Sequence, residues 1–213
     1  MSQIVNNNKQ IIELQYFGST EFYSSLIKST HAVFYPEWMY QKSHHPNRTW
    51  LYGPNGRLSL SIPLLGGRNQ KCSFRDVQIA EDGNWRRIHW RTIHDAYRKS
   101  PWFEEYGWQV ENLYQKHRKF LMDWNMETME WAKKVVGLKL DILAQTEPDA
   151  DLNLSFRKLA VNEPNGFPVY QQVFMEKFGF INNLSVLDLI FCKGPEAIDY
   201  LKKLHTHKNP LHS

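Results

Sequence analysis

The sequence predicts an α/β fold in a single domain, with a mixed sheet of about five or six strands and a mostly helical central and C-terminal part. Three observations predict it. Ile11–Gln15 and His31–Tyr35 are short, apolar and β-prone, and the run between them suits a helix, giving a strand–helix–strand opening. Arg57–Leu64 (RLSLSIPL) alternates strictly, with Leu58, Leu60 and Ile62 on one face, as a half-buried strand requires. From Asn84 onward, apolar residues recur mostly at helical spacing. The 213 residues are enough to bury a core without disulfides or a structural metal. The domain is expected over residues 1–204, with His205–Ser213 as a frayed tail.

The elements follow in order. Ser19 is a candidate N-cap for a helix from about Thr20 to Lys28. Pro36 stops the His31–Tyr35 strand. Residues 37–57 form a dense polar-aromatic stretch that ends in the turn Pro54-Asn55-Gly56. Gly66-Gly67 closes the alternating strand, and Cys72–Ile79 is a further strand candidate. Asn84 is placed to cap a helix running to about Lys99, ended by Ser100-Pro101 because the residue before proline avoids the helical region. A short helix through Phe103–Tyr106 is followed by a long one from about Val110 to Val136. The long helix carries Leu113, His117, Phe120 or Leu121, Trp124, Thr128, Trp131 and Val135 on one face, with Gly137 just past its end. Leu138–Leu143 returns as a strand. A loop-rich stretch surrounds a short strand at Asn153–Phe156. Helices are expected at about Val169–Phe178 and Gly194–Leu204, with an apolar run at Leu184–Phe191 between them.

Composition narrows the function. Net charge is +4, but residues 42–119 carry 14 Lys and Arg against 7 Asp and Glu. Nine of the ten arginines lie between Arg48 and Arg118, and all eight tryptophans lie between Trp38 and Trp131. Arginine suits bidentate anion recognition and tryptophan offers a wide stacking face. An anionic, ring-bearing partner follows: a nucleotide, a nucleotide sugar or nucleic acid. The modest charge and a pI near 8.9 disfavour nucleic acid. No run of about 18 apolar residues exists, so no transmembrane helix is expected. The first residues, MSQIVNNNKQ, lack a basic start followed by an apolar stretch, so no secretory signal is expected and a reduced cytoplasmic setting follows. Cys72 and Cys192 form no CxxC pair and read as small apolar residues. No metal site is expected, and no motif names a cofactor. GxSxG, HExxH, GxxxxGK[ST] and GxGxxG are all absent.

The Asn84–Lys99 helix is the most informative element. At 100° per residue, His94, Arg87, Arg98 and Arg91 fall within about 60° of one another, opposite an arc of Trp85, His89, Trp90, Ile93, Ala96 and Tyr97. The stripe is either a solvated basic face or a place for phosphates or a carboxylate. Arg86 projects inside the aromatic arc, so it snorkels, pairs with a carboxylate or faces a ligand cavity. His89 is either a satisfied core histidine or a general base. In the loop His44-His45-Pro46-Asn47-Arg48, Arg48 can clamp an anion and Asn47 can fix a polar group, unless the loop is only polar surface. Gly66-Gly67-Arg68 offers backbone N–H groups to a phosphate.

The strings HPNRTWLYGPNGRLSLSIPL, DVQI, NWRRIHWRTIHDAYRKSPWFEEY, LMDWNMETMEWAKKVVGL and FINNLSVLDLIFCKGPEAIDYL occur in that order. Together they resemble the WbqC-like protein family over roughly residues 11–204. The resemblance implies a bacterial protein of surface-polysaccharide (O-antigen-like) biosynthesis and a group transferase, with amino-acyl or glycine transfer as the proposed chemistry. It carries no catalytic assignment. Many members open with a Gln-Pro-x-Tyr-x-Pro-like turn, which here reads Gln15-Tyr16-Phe17-Gly18, without proline. On the combined reading a nucleotide sugar or another phosphate-bearing small molecule is the partner. Arg48, Arg86, Arg87, Arg91 and Arg98 neutralise its phosphates, Trp90 or Tyr97 stacks a ring, and His89 is the base. The alternative is a non-catalytic module that binds nucleic acid or glycan.

Overall fold

The computed structural model describes residues 8–67, 69, 71–81, 83–146 and 166–208. Its first strand, β1 (Lys9–Ile11), lies parallel to β2 (His31–Phe34), with Lys9 opposite His31. Helix α1 (Thr20–Ser25) connects them, and the Ser19 side chain accepts a hydrogen bond from the Phe22 N–H, as its N-cap position predicts. The connecting turn holds Phe17 at φ +41, a left-handed conformation that costs a side-chain-bearing residue strain. The Thr49 and Ser185 hydroxyls both donate to the Phe17 carbonyl at 2.9 Å and hold it there.

β3 (Arg48–Gly53) and β4 (Gly56–Ser61) form an antiparallel hairpin across Pro54-Asn55, with Gly53 opposite Gly56. A Cβ on Gly53 would come within 2.2 Å of the Leu58 side chain, so the strands close here only over glycine. The expected strand at Cys72–Ile79 is instead a single 3-10 turn at Phe74–Asp76. The backbone N–H groups of Phe74 and Arg75 donate to the Trp38 and Pro36 carbonyls, so this segment clasps the preceding loop.

Helix α2 (Trp85–Tyr97) starts after Asn84 as expected, but Asn84 is left-handed at φ +51 and its side chain makes no capping bond. The long helix expected from Val110 to Val136 is two helices, α3 (Phe103–Gln115) and α4 (Leu121–Val136). No glycine or proline breaks it. Residues 116–120 leave the helix to pair with Val77–Ile79: Ile79 N–H donates to the Lys119 carbonyl at 2.8 Å, and Leu121 N–H to the Val77 carbonyl at 2.9 Å. His117 is exposed as a result. Gly137 ends α4 at φ +73, the C-terminal role its position predicts.

β5 (Asp141–Ala144) pairs in parallel with β2, so one sheet runs β1-β2-β5 and the hairpin stands as a second. The chain is thus mixed α/β with five strands among the described residues, divided between two sheets, and its central and C-terminal parts are helical. Of the expected helix at Val169–Phe178, only α5 (Met175–Phe178) forms. The expected strand at Asn153–Phe156 and the last tail residues lie outside the described residues. The apolar run at Leu184–Phe191 enters helix α6 (Val186–Lys193), capped by the Ser185 hydroxyl. Val186 to Phe191 are all buried, Asp188 among them. A turn at Gly194–Glu196 leads into α7 (Ala197–Lys208). Gly194 has φ +53, and a Cβ there would meet the Trp102 ring at 2.3 Å. α7 packs on α1, with the Ser24 hydroxyl donating to the Leu201 carbonyl at 3.1 Å.

Candidate functional site

Two buried polar clusters and two surface features hold the chemistry-bearing side chains. The first cluster joins the strained turn to α2 and α3. The Tyr16 hydroxyl meets His89 Nδ1 at 2.9 Å and also contacts the Tyr114 hydroxyl. Trp85 and Trp124 pack against these rings. Burial holds the His89 imidazole down to about 4, so it is neutral near pH 7. A neutral imidazole either accepts the Tyr16 proton at Nδ1 or donates to the Tyr16 oxygen, according to its tautomer, and either phenol can donate to the other. Burial also raises both phenols. His89 itself is only 6% exposed, and Tyr16, its hydrogen-bond partner, is fully buried. Its place is that of a side chain that positions Tyr16.

The second cluster surrounds Asp188 on α6, which is fully buried. Tyr97 donates to Oδ1 at 2.9 Å, while Tyr170 at 2.5 Å and the Gln172 amide at 2.9 Å donate to Oδ2. The Tyr97 hydroxyl in turn accepts the Tyr52 N–H at 3.0 Å, tying α2 to the hairpin. Burial raises the Asp188 carboxyl, and the three donors pull it back. Tyr97 has no exposed face on which a ligand ring could stack.

The other sequence-predicted residues lie along α2 and its end, on β3 and in the loop before β3. Arg86 grips Glu81 through both terminal nitrogens, at 2.6 and 2.7 Å, and lies over the Trp85 ring, which settles the question its place in the aromatic arc raised. Arg87, Arg91 and Arg98 are exposed on α2, and Arg91 lies 3.7 Å from Asp95 one turn on. Trp90 is half-buried and stacks on Phe103 at 6.0 Å. Asn47 donates to the Ile62 carbonyl at 2.8 Å and accepts from Tyr40 at 3.4 Å. Arg48 donates to the Ser61 hydroxyl at 2.9 Å. No hydrogen bond or ion pair among the described residues joins the α2 stripe to Arg48 or Asn47. Gly66 and Gly67 both have φ +77, while Arg68 lies outside the described residues. Among the described residues, no group of three or more His, Cys, Asp or Glu is arranged to hold a metal ion. Burial raises the thiols of Cys72 and Cys192.

A groove of about 370 Å³, open mouth included, lies where β1 and β2 end. Ile12, Leu14, Phe34, Trp38, Tyr40 and Phe74 give it an apolar, ring-rich lining. The carboxyl ends of parallel strands are where ligands of open α/β sheets bind. Trp38 stacks on Tyr35 at 4.4 Å. Behind the groove, Asn125 donates to the Leu14 and Pro46 carbonyls at 3.0 and 2.8 Å, and Tyr16 N–H bonds the same Pro46 carbonyl. The floor is therefore fastened to Tyr16, two residues past Leu14, and so to the cluster it forms with His89. Glu13 lines the groove, and His44 Nδ1 lies 2.7 and 2.6 Å from its two oxygens. Sequence reasoning passed over Glu13 because it read as one residue of the expected Ile11–Gln15 strand, whereas β1 ends at Ile11. His44 was seen only as one of two neighbouring histidines.

The profile of the WbqC-like protein family matches residues 15–161. No curated protein and no solved structure matches the chain. Among the described residues no helix is long and apolar enough to cross a membrane.

Proposed function

The chain belongs to the WbqC-like protein family, and from that premise we propose that it is a group transferase of bacterial surface-polysaccharide assembly, acting on a nucleotide-linked sugar or its acyl donor. The observation that carries the reading is the ring-lined groove at the carboxyl ends of β1 and β2, with Glu13 in its wall and His44 bonded to Glu13. A pocket with an apolar lining and few polar groups is the form small-molecule sites take. Trp38 and Phe74 provide stacking surfaces for a base. Glu13 fixes the His44 ring through Nδ1, which leaves Nε2 to take the proton of an attacking amine or hydroxyl. The attacking atom bonds to the transferred group, the bond to the leaving group breaks, and the imidazolium returns its proton to the leaving group. The base role expected of His89 passes to His44 in this scheme, because His89 is enclosed and already engaged by Tyr16.

The test is calorimetric titration with nucleotide sugars, followed by turnover assays with the donor that binds. One saturable site is expected. Trp38→Ala should weaken binding about tenfold, the scale of one lost base–aromatic stack. Glu13→Gln should lower turnover by roughly 100-fold with little change in binding, as loss of a base-orienting group does. The reading fails if no nucleotide sugar or aminoacyl donor binds, or if Glu13→Gln turns over normally. Binding of single-stranded nucleic acid that falls steeply with salt would favour the non-catalytic alternative instead.

A further inference from the structure

The hairpin register puts Arg48, Trp50 and Tyr52 of β3 beside Ser61, Ser59 and Arg57 of β4. Strand alternation gives these six one face, while Thr49, Leu51 and Leu60 are buried on the other. On the outer face, Ser59 and Ser61 are exposed and the two arginines are half-buried. Both guanidinium groups sit over the Trp50 ring, Arg57 at 4.6 Å and Arg48 at 5.6 Å from its centre.

These arginines differ from most others on this surface. Arg75, Arg86, Arg91 and Arg118 each lie within 4.0 Å of a carboxylate. Among the described residues, Arg48 and Arg57 have no such partner, and unlike Arg87 and Arg98, which also lack one, they are half-buried; Arg57 Nε is buried without a hydrogen bond, as is Arg86 Nε, but Arg86 has Glu81. Burial pulls the Arg57 guanidinium down from its ordinary value, a sign that its charge is poorly compensated. A buried, uncompensated cation is costly unless an anion meets it. The Trp50 ring holds both forks in place beforehand, so less side-chain freedom is lost when an anion arrives.

We infer that the outer face of the hairpin is a phosphate-binding subsite, in which Arg48 and Arg57, held over Trp50, take a diphosphate group while Ser59 and Ser61 add hydroxyl donors. The subsite is connected to the groove through Asn47. The Arg48 charge acts on Tyr40, a groove-lining phenol, and on His45. Tyr40 also bonds Asn47, the residue before Arg48. The inference rests on the transferase reading in one respect: it makes the hairpin the seat of the donor's diphosphate, with the base in the groove.

The test is calorimetric titration of the full chain with inorganic pyrophosphate and, separately, with the nucleotide sugar. Wild type should bind pyrophosphate at one site. Arg57→Gln and Arg48→Gln should each weaken it tenfold or more, and Arg57→Lys, which keeps charge but loses the fork, should also weaken it. Lys202→Gln on α7 should not. Trp38→Ala should leave pyrophosphate binding unchanged and weaken only the nucleotide sugar. Thermal melts confirm folding, and if Arg57→Gln melts early, Arg57→Lys and Arg48→Gln carry the test. Absence of pyrophosphate binding, or arginine variants no weaker than Lys202→Gln, overturns the subsite. Arginine-dependent pyrophosphate binding without any nucleotide-sugar binding keeps the subsite and removes the transferase reading. Nucleotide-sugar binding that ignores both arginines does the reverse.

Discussion

Asp188→Ala is expected to destabilise the protein by about 3–5 kcal/mol, a large share of the roughly 5–15 kcal/mol that holds a typical domain together. The carboxylate is fully buried and accepts from Tyr97, Tyr170 and Gln172. Removing it strands two buried phenols, each costing about 1–3 kcal/mol unpaired, and one donor of an amide that keeps its bond to the Ile181 carbonyl. The loss spreads, because Tyr97 also fixes the Tyr52 backbone and Gln172 accepts the Ile181 N–H. Asp188→Asn keeps an acceptor and should cost less. Urea unfolding checks this through the midpoint at constant slope. A loss below about 1 kcal/mol for Asp188→Ala would show that the cluster is wetter or looser than its geometry.

The second large effect is a loss of stability in mild acid. Burial holds the folded His89 near 4, against about 6.5 in an unfolded chain. A group depressed on folding contributes stability that is complete above its unfolded value and is lost as pH falls toward the folded value. Stability should therefore decline from about pH 6.5 to pH 4, by about 3 kcal/mol in all. Asp188 acts with the opposite sign. Its folded carboxyl is raised, so its contribution falls as pH climbs past the unfolded value. The informative quantity is thus the difference between wild type and His89→Gln across this window. That difference should shrink on acidification, since Gln does not titrate. A constant difference would mean that His89 takes up its proton without leaving the Tyr16 cluster.

The sequence revealed those parts of the fold whose signals are local. Ser19, Gly137, the Pro54-Asn55 turn and the Arg57–Leu64 alternation each act through neighbours a few residues away, and each appears where the pattern places it, β4 being shorter than its pattern. The break between α3 and α4 had no local sign, because Val77–Ile79 creates it from some forty residues upstream. β3 was hidden for a different reason. Its outward face carries Arg48 and Trp50, but Tyr52 on the same face is buried beneath α5, where its hydroxyl donates to the Phe174 and Gly179 carbonyls. The alternation of a half-buried strand is thereby blurred. In the site, helical periodicity correctly set His89 and Tyr97 on the packed face of α2. It was silent about Tyr16, 73 residues away, and Asp188, 91 residues away, which decide what those side chains do. Arg57 read as one residue of a strand, and its place over Trp50 beside Arg48 became visible only once the hairpin register was set.

The order β1-β2-β5 carries a consequence for how the chain assembles. β1 and β2 are close in sequence, but β2 pairs on its other side with Asp141–Ala144, after the hairpin and three helices. On a ribosome, β2 emerges with one row of N–H and C=O groups unpaired, and that edge stays open until β5 is made. Pairing across so long a loop is slow, because the chain must lose much freedom before the contacts form. Nascent β2, with Ala32, Val33 and Phe34 exposed, is the segment most open to pairing with a second copy during that interval.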